Sequence, residues 1–383
     1  MEAAVLAIRG SLMNSHRKTA VVIPSIRQLV PERIASIPDD VDIFVVNDSE
    51  EVIEPCRARM MVFSLEQQRE IMGPDFDLIP RGTGACRNFG FYYVWKHTDH
   101  EVVITIDDDV VCPDDFLSQY DALGSIRGWP NISVDSGWFN TIEFAGVQAR
   151  GGGVLYPRGF PFWLRAPHPY SEDHRTATGR LVCLMGLWSN CLDYDGIDKF
   201  LFDDYGTKGA GVSVDAIVTI GHSRRRTMFP LCAMNCGVVR ELLPAAYQFP
   251  MDRRITLRYP IWRFDDIWSG YVLQSLVHRR ANGDHAGVGP PIVAHLKDGD
   301  LKREILGEHF GHLMSPFFYA LIDRGVAEVE PGPYADMTRE LFTRLCRGAE
   351  KLFDELRCPP LYRTYFADTF ARLARWAELC AAG

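Results

Sequence analysis

A chain of 383 residues with 47% hydrophobic content carries enough apolar side chains for a large core. Its net charge of −9 leaves no basic footprint for nucleic acid, and no apolar run approaches the ~18 residues that would span a bilayer. Ten cysteines are scattered, with Cys86, Cys183 and Cys191 inside apolar segments, which fits reduced thiols in a cytoplasmic protein better than a disulfide framework.

Met1–Met13 holds a short apolar patch and an arginine but no long apolar region or cleavage pattern, so residues 1–17 read as an N-terminal extension. Lys18–Pro24 reads as a first strand broken by Pro24, followed by Ser25-Ile26-Arg27. A short helical stretch at Gln28–Ser36 leads to a second strand, Val41–Val46, that ends in Asn47-Asp48. Gly82–Lys96 has helical spacing, with Ala85, Phe89, Tyr92 and Tyr93 on one side. The next segment, Glu101–Asp109, is an apolar run rich in β-branched residues that stops at three carboxylates. From Asp114 to about Tyr259 the chain is mixed, with turns at Gly151–Gly153 and Gly206–Gly211. The second of these resembles a phosphate loop but lacks the preceding strand and the Lys-Ser/Thr ending. After Pro290-Pro291 a last strand, Ile292–Ala294, runs into His295. Beyond Leu301 the pattern is helical: Met337, Leu341, Phe342, Leu345, Leu352, Phe353 and Leu356 form an apolar stripe, and Pro359-Pro360 precedes a final helix at Tyr362–Leu379. Strands alternating with helices predict an α/β fold with a mixed, mostly parallel sheet. Residues 18–300 form the expected catalytic domain and 301–383 a helical elaboration packed on it. The stripe also suggests self-association into a homo-oligomer.

Carboxylates crowded at a strand end repel one another unless a cation lies between them, and hard ions such as Mg²⁺ or Mn²⁺ share oxygen ligands with substrate phosphates. Asp107, Asp108 and Asp109 therefore suggest a metal–diphosphate site of the kind used with nucleotide sugars; a solvated acidic turn is the plainer alternative. Ligand crevices of α/β sheets lie off the carboxyl ends of strands. Pro24, Ser25 and Arg27, Asp48 and His295 share that expected edge. Asp48 can accept from a nucleobase imide or satisfy its own turn. In His295-Leu-Lys297 an imidazole can complete a metal shell and an ammonium can neutralise a diphosphate, although the pair alone reads equally as surface chemistry. Arg87 and Asn88 can reach the nucleotide or serve helix polarity. Asp265 and Asp266 lie beside Arg263 among aromatic residues, as a general base, a sugar-hydroxyl ligand or a structural ion pair. Arg158 and Arg165 sit in an aromatic, proline-rich run suited to a sugar, or equally to a loop that packs those aromatics into the core.

Taken in order, these segments resemble the reversibly glycosylated polypeptide family, the UDP-arabinopyranose mutases. The resemblance is carried by Val21-Val-Ile-Pro-Ser-Ile-Arg27, Gly84-Ala-Cys-Arg-Asn-Phe-Gly90, Ile104-Thr-Ile-Asp-Asp-Asp109 and Phe139-Asn-Thr141. It continues in Arg158-Gly-Phe-Pro-Phe-Trp-Leu-Arg165, Gly186–Asp195, Val214–Ile220, Phe229–Asn235, Arg263–Gly270 and His295-Leu-Lys297. It implies a GT-A-like fold that binds a UDP-sugar with a divalent metal and no flavin, interconverts pyranose and furanose rings, and becomes reversibly glycosylated on an arginine. That arginine maps to Arg158 and a second arginine important to the mutase to Arg165. The metal would lie on Asp107, Asp108, Asp109 and His295, with Lys297 on the diphosphate. Gly82-Thr-Gly84 replaces an Asp-Ser of plant members, and Pro167–Arg180 is longer and more polar, which leaves the sugar open. The alternative activity is transfer from a UDP-sugar to a separate acceptor; a non-catalytic scaffold is a third reading.

Overall fold

The computed structural model describes residues 18–149, 152–165, 171–201, 211–221, 226–251, 261–280, 282–296 and 301–381. Its centre is a ten-stranded mixed sheet. The strands are β1 (Thr19–Ser25), β2 (Asp42–Asn47), β3 (Met60–Phe63), β4 (Val102–Ile106), β5 (Val110–Val111), β6 (Ile126–Val134), β7 (Glu172–Asn190), β8 (Val218–Ile220), β9 (Asn235–Val239) and β10 (Asp284–His295), in the order β3-β2-β1-β4-β9-β7-β6-β8-β10-β5, with β7 also paired to β10. The four strands from β3 to β4 are parallel. Beyond them β9 runs antiparallel between β4 and β7, which reverses the chain and mixes the sheet.

All five residues of β4 are buried, because the strand is paired on both edges and covered on both faces, so it needs no polar alternation. Pro24 does not break β1: the ladder to β4 ends at Val22↔Thr105, and the strand continues beside β2 to Ser25. A proline without an N–H is tolerated where that side of the ladder has stopped. The expected helix at Gln28–Ser36 is a single 3₁₀ turn, Pro31–Ile34, enclosed by Pro31 and Pro38. The final strand is far longer than Ile292–Ala294. Gly287, Gly289 and the two prolines interrupt its sequence pattern, but pairing with β7 carries through them by a register shift between Gly289 and Ile292. Part of the polar insert before Arg180 lies in the exposed first half of β7, paired with β6.

Among the described residues the α-helices longer than five residues are α1 (Leu65–Met72), α2 (Asn88–His97), α3 (Gly196–Leu201), α4 (Asp265–Arg280), α5 (Leu301–Ala327), α6 (Tyr334–Glu355) and α7 (Pro360–Ala381). Helix α2 follows a 3₁₀ turn, Gly84–Arg87, begun by Thr83, whose hydroxyl accepts from Ala85 N–H. Helices α6 and α7 close on each other and on the rest of the chain: Trp376 donates to the Pro244 carbonyl (3.0 Å) and Trp95 to that of Cys380 (2.9 Å). Met337, Leu341, Phe342, Leu345 and Phe353 are thereby 0–1% exposed. Five residues of the stripe are thus covered within one chain, and Leu352 and Leu356 are half-buried against the same core. Among the described residues no helix is long and apolar enough to cross a membrane.

Gly90 sets how closely α2 lies on the sheet, since a Cβ there would stand 2.5 Å from Val22 Cγ1 and 3.2 Å from Val46 Cγ2. Gly90→Ala is expected to cost about 1–3 kcal/mol through overpacking. Urea denaturation should show a lower midpoint with an unchanged slope.

Candidate functional site

Strand direction explains where the polar residues gather. The carboxyl ends of β1, β2, β4, β7 and β10 and the start of β9 lie at one edge of the sheet, so Ser25, Asp48, Asp107, Asp193, His295 and Met234 open on a single cleft of about 620 Å³. Of the residues singled out from sequence, Pro24, Ser25, Arg27, Asp48, Arg87, Asp107, Asp108, Asp109, Arg158, Asp265, Asp266 and His295 line it. Lys297 and residues 206–210 fall outside the described residues.

At one end, Asp48 accepts from the Gly82 N–H at 2.6 Å and lies 3.4 Å from Arg81 Nη1. Burial pushes its carboxyl upward against those two partners. The Gly82-Thr83-Gly84 loop thus holds Asp48 at the cleft wall.

The acidic triad is held one carboxylate at a time. Asp107 is gripped by Arg87, whose other donors go to Gly84 O (2.8 Å), Thr105 Oγ1 (2.8 Å) and Ala233 O (2.6 Å). Arg87 is 3% exposed and acts as a strut with its donors committed. Asp108 accepts from Ser25 Oγ at 2.6 Å and from Arg27, and its carbonyl accepts from Arg33 Nη1 at 2.9 Å. Asp109 faces His295, with Oδ1 3.7 Å from Nε2. That meeting follows from topology: immediately after the triad, β5 turns antiparallel to β10, pairing Val110 with His295, and Leu296 N–H donates to Asp109 O at 2.9 Å.

The donor set suits a hard divalent cation. His295 Nδ1 bonds the Cys191 carbonyl at 2.7 Å, which makes it a protonated nitrogen and leaves Nε2 facing Asp109, available as a ligand when the imidazole is neutral. Burial, then the charge of Asp107, raises the Asp109 carboxyl, against His295 and with Asp108 adding to the rise. A cation among these oxygens would relieve that repulsion.

At the other end, Arg158 is 7% exposed and buried among acids. Its Nε donates to Asp193 Oδ2 at 2.9 Å, Nη1 and Nη2 reach the two oxygens of Asp266 at 3.0 Å each, and Nη1 also donates to the Arg263 carbonyl. Burial opposes its charge, but Asp193 and Asp266 outweigh burial and hold its proton more firmly than usual. Burial also opposes the charge on Asp193, yet Arg158 and Arg263 hold that carboxyl well below the ordinary range. The turn that delivers Arg158 needs Gly159, at φ +82°, where a Cβ would meet Ile267 Cγ2 at 2.6 Å. Arg263, at φ +63°, presents its carbonyl to Arg158 and its guanidinium to Asp193 (2.5 Å), Glu304 (2.9 Å) and Glu308 (2.9 Å). Such a backbone persists where surrounding contacts over-determine it. Asp266 Oδ2 accepts from the Ala233 N–H as well. Asp265, beside it in the first turn of α4, is pushed up to about 6 by burial and then by the Asp266 charge.

Two expected site residues do not line the cleft. Asn88 is fully buried and its amide is spent on the backbone of Gln248, accepting at 2.8 Å and donating at 2.8 Å. Arg165 is clamped by Asp195 (3.1 Å) and Asp198 (2.9 Å) and stacks on Phe162 and Tyr156. Asp198 also accepts from Tyr156 N–H at 2.8 Å, so this clamp ties the Arg158 loop to α3. Asp195, Glu308 and His312 bring donor atoms within 4.8 Å of one another, but the cation there is already Arg165. Residues missed from sequence are Asp193, Lys199, Trp262 and Glu304, which line the cleft, and Glu308 behind Arg263. Asp193 lay within the matched Gly186–Asp195 segment and could have been found there; Lys199 and Glu304 carried no local signal.

The profile of the family described as Reversibly glycosylated polypeptide (RGP) matches residues 16–355, and the chain belongs to that family. It is 28% identical to probable UDP-arabinopyranose mutase 4 of Arabidopsis thaliana, over 88% of this chain and 87% of that one. It is 29% identical to UDP-arabinopyranose mutase 1 of the same plant, over 78% of each. Among solved structures, a glucosyl-3-phosphoglycerate synthase from Mycobacterium tuberculosis with Mn²⁺, UDP and phosphoglyceric acid aligns at TM-score 0.36 and 14% identity, over 79% of this chain and 78% of that one. S. aureus TarS 1-349 aligns at 0.35 and 13%, over 94% and 90%. Likeness at this level does not bear on the site.

Replacing Arg158 by Met would leave Asp193 and Asp266 facing each other without their shared cation. The expected loss of stability in urea at pH 7 is about 3–5 kcal/mol. With the cation gone the carboxylates resist ionisation, so the loss should shrink as pH falls into the ordinary carboxylate range.

Proposed function

We propose that the chain is a metal-dependent UDP-sugar pyranose/furanose mutase of GT-A type, and that Arg158 carries the sugar reversibly. The observation that supports this most directly is the cleft itself. An acidic triad with a histidine at one end and a doubly paired, buried arginine at the other give a diphosphate and its sugar separate sites. The names of the curated relatives agree with the reading.

In this reading Asp48 faces the base, and Asp107, Asp108, Asp109 and His295 would hold the cation, with Arg27 and Lys297 on the diphosphate. When bound, the cation supplies charge neutralisation for departing UDP. Ring contraction needs the anomeric C–O bond to break, the sugar to be retained, and the ring to open and close again through another hydroxyl. Because its protons are held firmly, the step is concerted: Arg158 Nη forms a bond to the anomeric carbon as UDP departs with the bonding pair and one Nη proton passes to Asp266, which already holds both terminal nitrogens. Arginine is a poor nucleophile while protonated, so the bidentate acid is a requirement of this step. Asp265, which lines the cleft and is pushed up to about 6, takes and returns the proton of the ring-closing hydroxyl in this reading. Arg165 acts from behind, by fixing the Tyr156–Arg158 loop through Asp195 and Asp198.

The deciding experiment is incubation with UDP-arabinopyranose and Mn²⁺ without acceptor, followed by chromatography of the nucleotide sugars. Appearance of the furanose form supports the mutase; sugar consumed only when an acceptor is added would replace it by a transferase.

Two variants divide the roles. Asp109→Asn should abolish the Mn²⁺ dependence of UDP binding, read by titration calorimetry, whereas unchanged titration would remove the triad from the site. Asp265 serves as a base only when ionised, so turnover should fall as pH drops through about 6, and Asp265→Asn should lose that limb together with most activity.

A further inference from the structure

The inner end of the cleft is walled in part by two residues, Lys199 and Glu304, that no local pattern in the sequence announced. Lys199 on α3 and Glu304 on α5 form a buried ion pair at 2.9 Å, with side chains 7% and 4% exposed. Glu304 also takes Arg263 at 2.9 Å through its other oxygen. Arg263 is divided among Asp193, Glu304 and Glu308, and Arg158 between Asp193 and Asp266. Each of these three cations is therefore engaged by carboxylates belonging to the protein. The carboxylates exceed them: Asp193, Asp265, Asp266, Glu304 and Glu308 stand against Arg158, Arg263 and Lys199 among the described residues. Two of these acids also resist ionisation: burial, then the Asp266 charge, pushes Asp265 up to about 6, and burial, against Arg263, pushes Glu308 up to about 7.

We propose that this wall, with Glu304 as its determining residue, selects sugars that carry no charge at the position beyond the ring and rejects uronates. The inference rests on the nucleotide-sugar reading of the cleft. A neutral sugar offers hydroxyls that donate to Glu304 or accept from Lys199 without disturbing their pairing. A carboxylate on C5 of the ring must either take a cation from an existing partner, leaving a buried acid unpaired, or lie next to Glu304 and Asp193 in a site of low dielectric. Both routes cost binding, and neither depends on the size of the sugar.

UDP-glucose and UDP-glucuronate test this, because they differ only in a CH₂OH against a carboxylate. Competition against a fluorescent UDP analogue, at fixed Mn²⁺ and pH 7.5, should show UDP-glucuronate binding at least about tenfold more weakly than UDP-glucose, which is roughly 1.4 kcal/mol. UDP itself is the reference. If UDP binds and the two sugars compete equally, or the uronate competes better, the selectivity is overturned while the nucleotide site stands. If UDP does not bind, the nucleotide-sugar reading falls and the selectivity with it. Glu304→Gln keeps the shape of the wall and removes one charge, so it should narrow the gap severalfold. A gap unchanged in a variant that still binds UDP would remove Glu304 from the role. The wild-type comparison stands without any variant.

Discussion

A guanidinium buried between two carboxylates is the constraint on which the inner half of this molecule depends. Arg158 ties three separate segments into one object: its own loop, the stretch after β7 through Asp193, and the first turn of α4 through Asp266. Charges taken out of water are tolerated only when their partners are in place, so the three segments must be assembled together. Gly159 permits the turn, and Arg263 adopts a left-handed backbone to complete the set. Arg165 repeats the device one layer behind, against Asp195 and Asp198.

The two ends of the cleft handle the same chemistry differently. Around Asp107–Asp109 the carboxylates remain crowded, with Arg87 on the first and Arg27 shared between the other two, so the protein leaves room for an added positive charge. Around Arg158 positive charge is built in and every cation is engaged. In the proposed reading the outer end takes a polyanion bridged by a metal, and the inner end a ligand whose polarity comes from hydroxyls.

How much of this could be read from the chain depended on whether the signal was local. The strand bearing Asp107–Asp109 was legible because burial on both faces forces a run of β-branched residues, and the acids mark where it ends. The position of His295 was legible from the apolar strand before it, but its meeting with Asp109 was not, since that requires β5 to turn back on β10. The mixed sheet with helices after it was expected and is found; the length of β10 was hidden by glycines and prolines that its partners accommodate. Asn88 looked like a nucleotide ligand beside Arg87, and only the path of Gln248 reveals where its amide is spent. Lys199 and Glu304 are ordinary helix residues by pattern, and become notable only when α3 and α5 meet.

Helix α5 holds a further consequence. A division of the chain at residue 300 would look natural, because the strands end there and the helical run begins. Yet the first turns of α5 supply Glu304 and Glu308 to Arg263 and His312 to Asp195. The seam between the sheet layer and the helical layer is therefore written in charges rather than in apolar contacts alone. A shorter version of this protein ending at that seam would inherit orphaned ions at its innermost point, and the helical tail is best regarded as the closing wall of the chamber and not as an appendage.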